Sequence, residues 1–75
     1  GHMREALDQF NAAVRVDPGF ALAYMNRGIA KDALGMRGEA KQDCRRFLQL
    51  WKGDPKTADR VRAALRDSLP DKPLK

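Results

Sequence analysis

Chemically reactive side chains are scarce in this chain. One cysteine, Cys44, and one histidine, His2, stand among 75 residues, beside a single tryptophan and a single tyrosine. A lone cysteine excludes an internal disulfide framework and a multi-cysteine zinc site. Gly1-His2-Met3 reads as the remnant of a cleaved expression tag and is set aside, which leaves no imidazole for acid/base work or metal ligation. No apolar run approaches the roughly 18–20 residues of a membrane-spanning helix. A glycine-rich phosphate loop, a paired-carboxylate motif and a nucleophile with a nearby base are all missing. Cys44 lies on an apolar helical stripe, where an unactivated thiol is a structural one. Glu39 and Asp43, one turn apart, are too few ligands for a metal. These absences point to a protein with no catalytic residue, cofactor or metal.

What is present suits a small folded domain. Apolar residues make up 43% and charged residues 33%, a balance that buries a core and stays soluble. A chain of this length hides only about 60% of the surface its unfolded form exposes, so its stability is marginal.

Four helical stretches follow one another, and no alternating pattern suggests a strand. The first, from Arg4 to Val16, places Ala6, Leu7, Phe10, Ala13 and Val14 at spacings of three and four. Asp17-Pro18-Gly19 ends it. The second runs from about Phe20 to Leu34, with Leu22, Met25, Ile29 and Ala33 along one face and Tyr24, Gly28 and Ala30 beside it. Apolar residues so spaced ordinarily pack in a core. Gly35-Met36-Arg37-Gly38 forms a turn in which both glycines supply positive φ. The third, from Glu39 to Trp51, carries Ala40, Cys44, Phe47, Leu48 and Trp51, the ring of Trp51 plugging the junction that follows. Asp54 caps the fourth, with Pro55 at its first position. Ala58, Val61, Ala64, Leu65 and Leu69 form its inner face as far as Pro70.

An internal repeat links these stretches. Glu5-Ala6 recurs as Glu39-Ala40 after 34 residues. The same shift sets Phe10 on Cys44, Ala13 on Phe47, Val14 on Leu48 and Val16 on Leu50, so one buried face is written twice. Between the copies, Tyr24-Met25-Asn26-Arg27-Gly28 precedes Ala40 by a fixed interval, and Ala6-x-x-x-Phe10 precedes Asp17-Pro18. With these motifs, residues 4–53 resemble the tetratricopeptide repeat family, whose aromatic, glycine and Ala-x-x-x-Phe positions they match. The matches are not uniform. Arg27 stands where the family has leucine, Lys31 where it has an aromatic, and Cys44 where it has phenylalanine. The closing proline arrives late, at Pro55.

The resemblance implies an all-α fold: antiparallel helical hairpins of a right-handed solenoid, about four helices in all. Residues 4–18 would be the second helix of an incomplete repeat, 19–53 one complete hairpin, 54–70 a C-terminal capping helix and 71–75 a frayed tail. Ala6, Phe10, Tyr24, Gly28, Ala40 and Cys44 would be the repeat-packing residues. Gly28 and Ala40 let helices approach, while Tyr24 and Phe10 fill the space between them. Arg60, Arg62 and Arg66 would face water at the end of the stack.

Function follows by the same implication. Such modules bind a protein or peptide on a concave face, here lined by Leu22, Met25, Asn26, Ile29, Asp32 and Ala33. The Asn26 amide can both donate and accept, which suits a peptide backbone or a terminal carboxylate. Family members that grip the C-terminal carboxylate of chaperones use an asparagine in this place. Their basic partners are not matched, because Ile29 and Ala33 hold the neighbouring positions. A second expectation is self-association. The first helix lacks a preceding partner, so Leu7, Phe10 and Val14 are left partly uncovered, and a homodimer forms across them. The formal net charge of +5 raises nucleic acid as a weaker alternative. Glu39, Asp43, Asp54 and Asp59 interrupt the basic residues, and no aromatics are interleaved for stacking. An acidic protein partner fits that balance better.

Overall fold

Each connection between helices is fixed by a few residues whose chemistry is legible. The computed structural model describes residues 2–67, which form four helices and no strand: α1 (His2–Val16), α2 (Ala21–Ala33), α3 (Arg37–Leu50) and α4 (Pro55–Asp67). The molecule is all-helical and compact, with a radius of gyration of 12.3 Å. Leu69, Pro70 and the 71–75 tail of the sequence reading lie outside the described residues.

Helix α1 begins earlier than its apolar pattern, taking in His2 and Met3, with the His2 ring 3.5 Å from the Glu5 carboxylate. Its last backbone bond runs from the Asp17 amide to the Ala13 carbonyl, 2.9 Å. Pro18 then forces the chain to turn. The Asp17 carboxylate accepts from the Gly19 amide at 3.2 Å, and the Phe20 amide closes the turn on the Asp17 carbonyl. The Tyr24 hydroxyl donates to the Pro18 carbonyl at 2.9 Å, tying α2 back to this corner.

At the end of α2, the Met36 amide reaches the Lys31 carbonyl and the Gly35 amide reaches the Asp32 carbonyl, at 2.8 and 3.0 Å. This double closure needs a left-handed residue just past the helix, and Gly35 supplies it with φ of 83°. Gly38 does not share that role, contrary to the sequence expectation. Among the described residues only Gly35 has positive φ, and Gly38 lies in the first turn of α3. One glycine is enough to reverse the chain, so α3 starts at once.

Asp54 caps α4 as its sequence predicts. Its carboxylate accepts from the Lys56 amide at 3.0 Å, and Pro55 occupies the first helical position. Ahead of it, Trp51 stacks on Phe47 with ring centroids 5.1 Å apart and donates from Nε1 to the Asp54 carbonyl at 2.8 Å. A Cβ at Gly53 would stand 2.5 Å from the tryptophan ring, so this corner admits only glycine beside the seated indole.

The helices pack in chain order: α1 on α2, α2 on α3, and α4 on α3 alone. The closest union is between α2 and α3. A Cβ on Gly28 would stand 3.2 Å from the Ala40 carbonyl oxygen and 3.3 and 3.4 Å from Asp43 Cβ and Cys44 Sγ. Tyr24, Ala40, Cys44, Phe47 and Val61 form the core, with Val14, Met25, Leu48, Trp51 and Leu65 packed around it. Phe47 is wholly enclosed.

Three burial expectations are corrected. Ala64 is exposed, because the inner face of α4 turns through Ala58, Val61 and Leu65 instead. Val16 is 85% exposed although its repeat counterpart Leu50 packs near the core, since α1 ends there with nothing opposite it. Leu7, expected on an uncovered face, is buried. Phe10 and Val14 are half-buried, and Val14 packs against the core cluster.

Candidate functional site

Helix α2 is gripped from two sides, and the third side decides what it can offer. Ala23, Tyr24, Gly28, Ala30 and Lys31 are its buried residues. Small side chains face the neighbours because two helices must come close to this one. The apolar stripe that resembled a core face turns outward as a result. Ile29 is 58% and Leu22 37% exposed, and Asn26 and Ala33 are exposed with them. At spacings of four, three and four these residues form one continuous stripe along the helix.

The remaining two residues expected on this face sit elsewhere. Met25 is half-buried and packs against the core. Asp32 is half-buried, its carboxylate 3.8 Å from Arg37 Nε at the start of α3. Of the six residues, the structure therefore brings Leu22, Asn26, Ile29 and Ala33 together on open surface. Phe20, which the sequence reading did not single out, is 47% exposed just ahead of them.

The residues expected to pack one repeat on the next divide as well. Gly28, Ala40 and Cys44 meet directly between α2 and α3, and Tyr24 is buried in the core. Ala6 and Phe10 are half-buried on α1. Burial pushes the Cys44 thiol above its ordinary pKa, and the charges of Asp43 and Asp32 add to the effect. An enclosed, protonated thiol is a packing group rather than a nucleophile.

Between α2 and α3 lies a feature the sequence reading missed. Asp43 is buried and receives a two-pronged bond from Arg27, Nε to Oδ2 at 2.9 Å and Nη2 to Oδ1 at 2.7 Å. Lys31 Nζ stands 3.3 Å from the same carboxylate and 3.2 Å from Glu39. Arg27 also donates from Nη1 to Asn11 Oδ1 at 3.2 Å, so one guanidinium joins three helices. The Asp43 hydrogen bond and charge hold Arg27 above its ordinary pKa, outweighing partial desolvation. The guanidinium carbon lies 5.5 Å from the Tyr24 ring centroid, a cation–π contact. No buried side-chain polar atom among the described residues lacks a hydrogen-bond partner. Arg27 and Lys31 thus join α2 to α3 by ion pairing. The signal was in the spacing: two cations four apart on one helix, two carboxylates four apart on the next.

Among the described residues, no helix is long and apolar enough to cross a membrane, and no group of three or more His, Cys, Asp or Glu could hold a metal ion. No family model, curated protein or solved structure matches the chain.

Proposed function

We propose that the chain is a helical-repeat module of the tetratricopeptide type that binds a protein or peptide along the exposed stripe of α2 and performs no chemistry. One observation carries the reading: Leu22 and Ile29 present apolar side chains to solvent on a helix whose other sides are held by α1 and α3. A rigid, well-supported helix with an open apolar stripe is a platform, and exposed apolar patches of this kind mark interaction sites. Asn26, between the two apolar residues, offers one donor and one acceptor group to a peptide backbone. Helices that contact only their chain neighbours support the repeat reading, since stacked repeats are built in that way.

Selection of binders from a displayed random-peptide library tests the proposal. Selected peptides should lose binding to Ile29→Asp and weaken against Asn26→Ala, while both variants keep the parent melting temperature. Binders insensitive to both substitutions would overturn it.

A second reading, self-association, is favoured by the half-buried Phe10 and Val14 on a helix that has a neighbour on one side only. Light scattering across a wide concentration range separates the two. A dimer dispersed by Phe10→Asp would make α1 an assembly face, and a dimer dispersed by Ile29→Asp would make a second copy the occupant of the stripe.

A further inference from the structure

The net charge is not spread over the chain. Residues 1–36 hold four basic and four acidic side chains, whereas residues 37–75 hold eleven basic and six acidic. The whole excess of +5 lies in the second half. Four of these six acids have partners within the described residues. Asp43 is buried against the α2 cations Arg27 and Lys31, and the exposed Glu39 pairs with Lys31. Asp54 caps α4 and Asp59 pairs with Arg62 at 3.1 Å.

Helix α4 shows the consequence. Val61 and Leu65 pack on the core with Ala58 half-buried beside them, and the outward surface of the helix carries Lys56, Arg60 and, on its flank, Arg62 and Arg66, all exposed. These four basic residues span ten positions, about 15 Å of helix. We infer that the outward face of α4 is a docking surface for an acidic segment of a partner protein, separate from the α2 stripe.

The chemistry favours a peptide over a nucleic acid. Bases need aromatic faces to stack on, and the aromatics nearest this surface are occupied. Phe47 is enclosed, Trp51 is stacked on it and hydrogen-bonded, and the Tyr24 hydroxyl is spent on Pro18. Asp59 also pairs with Arg62 within this surface, which interrupts it for a uniform run of phosphates. A polypeptide of mixed side chains accommodates it by placing a neutral or basic residue opposite.

Fluorescence anisotropy tests this with the full chain and two probes of equal charge: a labelled glutamate-rich dodecapeptide and a single-stranded oligonucleotide. The double variant Lys56→Glu, Arg60→Glu reverses two charges on α4. The double variant Arg4→Glu, Arg15→Glu makes the same change in net charge on exposed positions of α1. The α4 variant should lose about tenfold or more in peptide affinity while the α1 variant stays close to the parent, and parent binding should weaken with salt. Equal losses from both variants would mean only net charge is felt. Absence of peptide binding, or tighter binding of the oligonucleotide, would equally overturn the assignment. Circular dichroism of both variants confirms that the helices persist.

Discussion

Asp43 satisfies Arg27 and Lys31 at once, so its loss leaves two neighbouring cations of α2 pressed against α3, with only Glu39 beside Lys31 and Asn11 beside Arg27. Removing one partner of a buried ion pair costs about 3–5 kcal/mol. The total stability of a 75-residue domain is on the order of 4–11 kcal/mol. Asp43→Ala is therefore expected to remove a large share of the stability, toward the lower end of that range because Arg27 keeps some contact with water. The cost comes from the stranded charges rather than from the pair's own strength. It follows that Arg27→Leu and Lys31→Phe, added to Asp43→Ala, should recover most of the loss, since neutral side chains need no counter-charge. Urea unfolding of the single and triple variants decides this. A triple variant no more stable than the single one would show that the ion pairs themselves hold the helices.

Cys44 gives a second prediction at the same scale. Its thiol is pushed above the ordinary value of 9.0 in the folded chain. Above pH 9 the unfolded chain loses this proton first, so the folded state binds more protons and stability falls as the pH rises through the folded-state value. Well below pH 9 both forms stay protonated and the contribution is constant. Compared with the parent, Cys44→Ala should show a shallower loss of stability between pH 8.5 and 10. The comparison cancels the lysines and tyrosine common to both proteins. Parallel pH profiles would place the thiol in a more open setting than the structure gives it.

At the scale of elements, the α2–α3 contact depends on a missing side chain. A Cβ at Gly28 already presses on the backbone oxygen of Ala40, which a helix cannot easily move. Gly28→Val adds a branched group there and is expected to destabilise by about 2–3 kcal/mol through overpacking. Thermal melts should show a lowered midpoint, and Gly38→Ala, with open space around its Cβ, should show none. A melt unchanged by Gly28→Val would mean the helices can part without cost.

Much of this was legible beforehand for physical reasons. Helix ends announce themselves through proline, glycine and capping carboxylates, and Asp17-Pro18, Gly35 and Asp54-Pro55 all act locally. The Gly28–Ala40 contact was what the resemblance to the tetratricopeptide repeat implied for two small residues at that spacing. The orientation of α2 did not follow, because its apolar stripe and its small-residue stripe both looked fit for burial. Two flanking helices settle that choice, and a flank is a tertiary fact. Arg27 and Asp43 were hidden for a related reason. A charged residue in a helical pattern reads as surface until its partner on another helix is known.

For the molecule as a whole, packing in chain order means that protection should vary along the row. Helix α2 has a helix on either side, α3 is joined to α2 by both close packing and ion pairs, and α1 and α4 are each held from one side. Regions with few buried contacts open locally below the free energy of global unfolding. Hydrogen exchange is therefore expected to be slowest for amides in the middles of α2 and α3, faster in α1, and fastest in α4. Val61 is the one buried residue of α4 among the described residues, so Val61→Ala should accelerate exchange in α4 far more than in α2. Uniform acceleration along all four helices would mean that the chain opens as a single unit. Selective acceleration would mean that α4 detaches alone, carrying its basic face with it while α2 and its open stripe remain in place.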